Sequence, residues 1–227
     1  MKVLGIDTAT WAGSIAVADD ILLLGEIGIQ ATVTHADRLM SCIDFLLKNL
    51  RIAPEELDGI AVSAGPGSFT GLRIGMGTAK GLSLATKKPV VGVSTLHAMA
   101  RSIHCNGFLS PLLDAGRGEI YGCCYRREGN RLVEVCPEMV DDPVRFLKKI
   151  SVPELFLFGT GADKFRKEIE EIGLSRFRFL PFHHFIASSV AIMGLEILKE
   201  GRTVKLTPNY IRRSNAELQR ENRIKDR

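Results

Sequence analysis

No stretch of this chain approaches the roughly 18 consecutive apolar residues that a membrane-crossing helix needs. Met1-Lys2 leads straight into a strand pattern, with no apolar secretion-signal core, so a soluble, untargeted protein is expected. The cysteines, at 42, 105, 123, 124 and 136, are odd in number and lack a Cys-x-x-Cys spacing. That argues against a disulfide scaffold and points to a reducing cytoplasm; the neighbours Cys123 and Cys124 would face opposite sides of a strand. Helix-borne zinc chemistry is missing as well, because it needs two ligands on one face, such as histidines four apart. His35 has Leu39 four residues on, His97 and His104 fall two turns or about 10 Å apart, and His183 and His184 are adjacent. No metal site is predicted. Ser68 and Ser94 have no sequence-level partner that would mark an activated nucleophile, and Ser68 reads as a helix N-cap.

What is present is an ordinary globular composition: 227 residues, 45% hydrophobic and 25% charged, with 22 glycines. Such a chain supports a substantial core, arranged as one large domain or two lobes of about 100 residues each. The net charge of +4 is modest. Residues 205 to 227 alone carry seven bases, among them Lys205, Arg212 and Arg213, against three acids. A basic tail of this kind is either a solvated terminus or a partner for phosphates or an acidic surface.

The chain repeats itself. Val3 to Thr10, Ser14 to Ala18 and Ile21 to Leu24 read as a three-stranded meander with Asp7 at its first turn. Leu109 to Leu113, Glu119 to Tyr125 and Arg131 to Val135 read as a second, with Asp114 in the equivalent place. Each meander is followed by a helix pattern, at Ala36 to Leu50 and Pro143 to Lys149. A strand ending in Gly-x-Gly then opens a second helix, at Gly65-Pro66-Gly67 and Gly159-Thr160-Gly161, and a further strand and helix close each half. The expected fold is α/β, a duplicated two-lobe architecture of mixed sheets flanked by helices, resembling the actin, sugar kinase and Hsp70 superfamily. Its lobes are predicted at 1–105 and 106–204, with the tail 205–227 able to return to the first. In that superfamily the aspartate-bearing hairpins clasp a nucleotide, which makes Asp7, Asp114 and Gly116 weak nucleotide candidates. Asp7-Thr8-Ala9 lacks the glycine that Asp114-Ala115-Gly116 keeps, and Asp114 and Glu119 read better as a turn-former and a solvent-facing acid than as a metal pair.

The segment Ser63 to Gly75 is the most distinctive. It joins a strand to a helix, where free amides could hold an anion, yet Gly71 is followed by Leu72 and Arg73 rather than the Lys-Ser/Thr of a P-loop. Thr70 stands where a dinucleotide fingerprint needs its third glycine. The helix from Phe69 to Ala85 contains Gly71, Gly75, Gly77 and Gly81, at roughly 3 to 4 kcal/mol relative to alanines. The helical wheel puts Gly71, Gly75, Thr78, Leu82 and Ala85 on a small-residue face, and Phe69, Leu72, Arg73, Met76, Lys80 and Leu84 opposite them. Large apolar groups interleaved with two bases suggest that this second face meets another chain. In the preceding helix, with Thr34 and Asp37 as a capping box, the apolar arc from Ala36 to Leu50 spans about 160°, and Arg38, Cys42 and Phe45 flank it. Arg38, Cys42, Phe45, Phe69, Arg73, Met76 and Lys80 together form the expected contact face.

Gly65-Pro-Gly-Ser-Phe-Thr-Gly-Leu-Arg-Ile-Gly75, with Gly5-Ile-Asp-Thr-Ala-Thr10, Gly92-Val-Ser-Thr-Leu96, Asp114-Ala-Gly-Arg-Gly-Glu-Ile-Tyr121 and Pro208-Asn-Tyr-Ile-Arg212, closely resembles the bacterial TsaB (YeaZ) family almost end to end. The resemblance implies a role in making threonylcarbamoyladenosine (t6A) beside the anticodon of tRNAs that read ANN codons. It implies a catalytically silent, cytoplasmic subunit without a cofactor of its own, which pairs with the metal-binding TsaD and supports recruitment of the ATPase TsaE, while TsaC supplies the adenylate donor. Family homodimers and TsaB–TsaD heterodimers share a first-lobe helix interface, and tRNA is met through the complex or the basic tail. The rival reading is an active nucleotide-dependent kinase or ATPase of the same superfamily; a metallopeptidase ranks last, for want of ligands.

Overall fold

Every residue of Val3–Asp7 (β1) is buried, as expected of a strand covered on both faces. The computed structural model, which describes residues 1–20, 22–30, 34–173, 175–202 and 206–211, shows what covers it. Ala12–Ala18 (β2) and Leu23–Gln30 (β3) complete an antiparallel meander, and Gly59–Gly65 (β4) and Val90–Ser94 (β5) add parallel strands, giving the order β3-β2-β1-β4-β5. His35–Leu50 (α1), Phe69–Thr86 (α2) and Thr95–Arg101 (α3) connect and follow these strands. The second half repeats the plan. Gly107–Gly116 (β6), Glu119–Glu128 (β7) and Arg131–Asp141 (β8) form the meander, Leu155–Phe158 (β9) and Phe177–Phe179 (β10) add parallel strands, and the order is β10-β9-β6-β7-β8. Its helices are Pro143–Lys149 (α4), Thr160–Lys164 (α5), Arg166–Glu171 (α6) and Ala187–Lys199 (α7). Among the described residues none of these helices is long and apolar enough to cross a membrane.

Strand alternation sorts the side chains into three cores. Leu4, Ile6, Ile15 and Val17 turn outward under α1 and α2. Leu112, Ile120, Cys124 and Leu157 pack under α4, α5 and α6. Val3, Ala61, Val91 and Val93 meet Leu109, Leu113, Cys123 and Phe158 between the sheets, together with Leu96 and Met99 of α3 and Val190 and Met193 of α7. Cys123 and Cys124 thus serve different cores.

Three expectations are corrected. The final helix, assigned by its place in the chain to the second lobe within 106–204, packs instead on the first lobe's sheet, against β1, β2 and β4. The approach is close because side chains are missing on both sides: a Cβ on Gly5 would strike the α7 backbone at Ala187 and Ala191, and one on Gly194 would overlap Ala61. The helix is anchored there as well, since the Ser14 hydroxyl accepts from the Ile186 and Ala187 amides at 3.2 and 3.1 Å, and Glu26 accepts from Ser188 N at 3.0 Å. The third strand runs to Gln30 rather than from Ile21 to Leu24, because Asp19 and Leu22 close the hairpin turn with bonds of 2.9 and 2.8 Å. Thr34 is the N-cap of α1 but makes no capping bond; its hydroxyl donates to Asp37 Oδ2 at 2.6 Å instead. Of the predicted tail, residues 206–211 lie against the first lobe, while Lys205 and everything from Arg212 on fall outside the described residues.

Candidate functional site

The helix α2 begins where Ser68 caps the Gly71 amide at 3.2 Å, and its glycines divide into two pairs. Gly71 and Gly75 lie on the end of β1: a Cβ on either would collide with Thr8, whose hydroxyl donates to the Gly71 carbonyl at 2.8 Å. Among the described residues, nothing lies within 4 Å of where a Cβ on Gly77 or Gly81 would stand. The chain's own packing therefore accounts for half of the glycine cost, and about 2 kcal/mol of lost helix propensity is left on the outer side.

The structure redraws the predicted contact face. Leu72 and Met76 are 0% and 5% exposed, in the core beneath α2. Met76 is thus removed from the contact face, because the buried arc runs from Gly71 and Gly75 through Ala79 to Leu72 and Met76, about 140° on the wheel. Arg38 is half-buried and turned inward, its Nη2 donating to the Trp11 carbonyl at 3.5 Å and to His35 Nδ1 at 3.3 Å. His35 Nε2 donates in turn to the Thr10 carbonyl at 2.7 Å, so the pair holds the β1–β2 turn. Cys42 is also half-buried and lines a cavity of about 20 Å³ between α1 and the sheet, enough for one water. The Phe69 and Tyr210 ring centroids are 4.9 Å apart, and the Arg73 guanidinium lies over the Phe69 ring, 3.8 Å from its centroid. Phe45, Arg73 and Lys80 are exposed.

The predicted contact face leaves out Met40 and, with it, the two open glycines. Met40 is 50% exposed, Phe45 62% and Leu84 82%. The α1 and α2 helices pack side by side, so these apolar groups and Gly77 and Gly81 occur on the outer faces of adjoining helices. The signal was in the sequence, as glycines facing neither buried arc, but it needed the position of Thr8 to separate them from Gly71 and Gly75.

The other candidates stand at the ends of β1 and β6. Asp7 is fully buried; Oδ1 accepts from the Ala9 amide at 3.2 Å, while Oδ2 and the neighbouring Ser63 hydroxyl have no hydrogen-bond partner among the described residues. Burial pushes its pKa up to about 6 against the milder opposing pull of the Ala9 amide. Asp114 is spent locally: Oδ2 pairs with Lys164 Nζ at 2.7 Å, and Oδ1 accepts from Gly116 N at 2.9 Å in a turn where Gly116, Arg117 and Gly118 all have positive φ. A magnesium nucleotide needs exposed, ionised carboxylates. A sealed Asp7 and a cation-paired Asp114 do not fit it. Trp11, half exposed at the β1–β2 turn, sits 5.4 Å from the His184 ring. Among the described residues no three His, Cys, Asp or Glu side chains gather to hold a metal.

With this geometry in view, the comparisons are specific. A profile of the family described as TsaD, tRNA N6-adenosine threonylcarbamoyltransferase, matches residues 28–200. The tRNA threonylcarbamoyladenosine biosynthesis protein TsaB of Bacillus subtilis is 33% identical over 225 residues, covering 96% of each chain. The solved YeaZ from Pseudomonas aeruginosa superposes with a TM-score of 0.76 at 26% identity, covering 92% of this chain and 99% of that one. A ROK hexokinase from Thermus thermophilus shares the fold alone, at a TM-score of 0.50 and 13% identity over 87% of this chain and 100% of its own.

Proposed function

The chain belongs to the TsaB (YeaZ) family, and from that premise we propose that it is the non-catalytic partner of TsaD in t6A synthesis. Its relatives support involvement in tRNA threonylcarbamoyladenosine biosynthesis; the finer reading concerns how it takes part. The outer face of α1 and α2 docks TsaD, the resulting pair supports recruitment of TsaE, and the same face joins two copies when TsaD is absent. The tRNA is met by the assembly, in the cytoplasm.

The observation that carries this reading is the open space over Gly77 and Gly81 beside exposed Leu84. A helix that gives up side chains on a solvent-facing side is weakened for nothing, whereas one on which a second backbone settles gains close contact. Phe45 and Met40 supply large apolar groups on the adjoining helix, and Arg73 and Lys80 supply charge at its edge. The two aspartates support catalytic silence: with Asp7 shut off from solvent and Asp114 paired with Lys164, they do not form an open acidic pair that could position a metal or activate a substrate. A nucleotide would be held at the junction with TsaD rather than by this chain alone.

Reconstitution tests the reading. TsaD, TsaE, the threonylcarbamoyl-adenylate donor and an ANN-decoding tRNA are mixed with and without the protein, and t6A is measured by nucleoside mass spectrometry. Modification should depend on adding the chain. Equal t6A in its absence would overturn the assignment.

A further inference from the structure

The described part of the C-terminal segment, residues 206–211, is seated on the first lobe at four points. Leu206 packs on the first core, its Cδ1 resting where a side chain at Gly92 would otherwise stand. The Asn209 amide donates to the Ala64 carbonyl at the end of β4, 2.6 Å away. The Asn209 carbonyl occupies the space over Gly65, where a Cβ would approach it to 2.7 Å. Tyr210 lies on Phe69, and its hydroxyl accepts from Arg73 Nε at 3.4 Å.

From that seat one side chain reaches the other lobe. Asn209 Nδ2 donates to Glu138 Oε2 on β8 at 2.8 Å, and Glu138 Oε1 accepts from the hydroxyl of Ser94 at the end of β5. Glu138 is half-buried, and burial holds its carboxyl above the ordinary range despite both donors. One second-lobe carboxylate thus gathers two first-lobe donors, one from the sheet and one from the returning segment.

We propose that residues 206–211 are an inter-lobe strap with Glu138 as its catch, holding β8 at a fixed spacing from the first lobe and keeping the Phe69 ring covered. The proposal stands apart from the docking face on the outer side of α1 and α2, and no partner protein enters it. Its logic is that of polar recognition: each oxygen of the catch has one donor, and the donor on the strap is held in place by a backbone bond on the same residue. Releasing the catch should loosen the strap and β8 together and uncover Phe69.

The test exchanges donor and acceptor in the full-length chain. Asn209→Asp sets two carboxylates against each other and removes the donor. Glu138→Gln added to it supplies an amide that donates to the new carboxylate on the strap, while its oxygen still accepts from Ser94. Amide hydrogen exchange is followed in peptides spanning 206–211 and 132–141. The strap predicts that Asn209→Asp speeds exchange in both peptides by about tenfold or more, and that the double variant returns both to near the parent rate. Parent-like exchange in Asn209→Asp, or a double variant no slower than the single, would overturn it; a general loss of stability would not be reversed by the second substitution.

Discussion

Thr8 and Gly71 are locked together across the end of β1: the Thr8 hydroxyl donates to the Gly71 carbonyl at 2.8 Å, and the Thr8 carbonyl fills the space where a Gly71 side chain would begin. That junction brings α2 down onto the sheet and separates the glycines packed inward from those left open. It makes one segment of sequence yield opposite outcomes for the same substitution.

Gly71→Ala should destabilise the protein by roughly 2 to 3 kcal/mol, since the new methyl meets backbone that cannot rotate away. Gly77→Ala with Gly81→Ala should stabilise it by about 2 kcal/mol, because both positions are open and neither has a positive φ. Thermal unfolding reads both, the second as a rise of roughly 4 to 8 °C. If the gain in stability brings no loss of TsaD binding, the open glycines have no role in docking.

The buried Asp7 predicts a pH dependence with a definite sign. Its pKa stands near 6 in the folded chain against 3.8 for a free carboxyl, so the folded state keeps the proton to higher pH than the unfolded one. Stability from this group is fullest below about pH 4, falls as pH rises toward 6, and is level above that, a difference of about 2 to 3 kcal/mol. Burial shifts Glu26 and Glu138 in the same direction. Asp7→Asn, which keeps an acceptor for the Ala9 amide, should therefore raise the melting temperature at pH 7.5 and leave it nearly unchanged at pH 4. Denaturation at the two pH values checks this, and a variant destabilised at neutral pH would contradict it.

Calorimetry with magnesium-ATP probes Asp7 and Asp114. The isolated chain should release no binding heat and turn over no nucleotide, because Asp7 lacks solvent access and Asp114 is paired with Lys164. Tight binding with turnover would reinstate the kinase or ATPase reading.

Much of the fold was legible in the residues. The duplicated meanders, the α4 range Pro143–Lys149 and the β9 range Leu155–Phe158 follow from apolar runs, turn residues and a proline at the first helical position. The address of α7 was not: Ala187, Val190, Ala191, Met193, Gly194 and Leu195 are all buried, and only Gly5 and Ala61 explain which sheet receives that face. The outer side of α2 was misjudged for a related reason. Side-chain size distinguishes Met76 from Gly75 but does not say which is inward, and both are, since Met76 fills the core while Gly75 admits Thr8. Tyr210 over Phe69, a contact across 141 positions, has no local signature at all.

The central claim is most directly tested by TsaD affinity in paired variants of α2. Leu84→Asp alters a side chain that is 82% exposed and should keep the parent melting temperature while weakening TsaD binding by about 2 kcal/mol, roughly thirtyfold. Met76→Asp buries a charge in the first-lobe core and should fail by unfolding, marking what loss of structure looks like. Titration of TsaD with folded Leu84→Asp decides the matter: a much weaker complex is the expected result, and parent-like affinity would contradict the docking face.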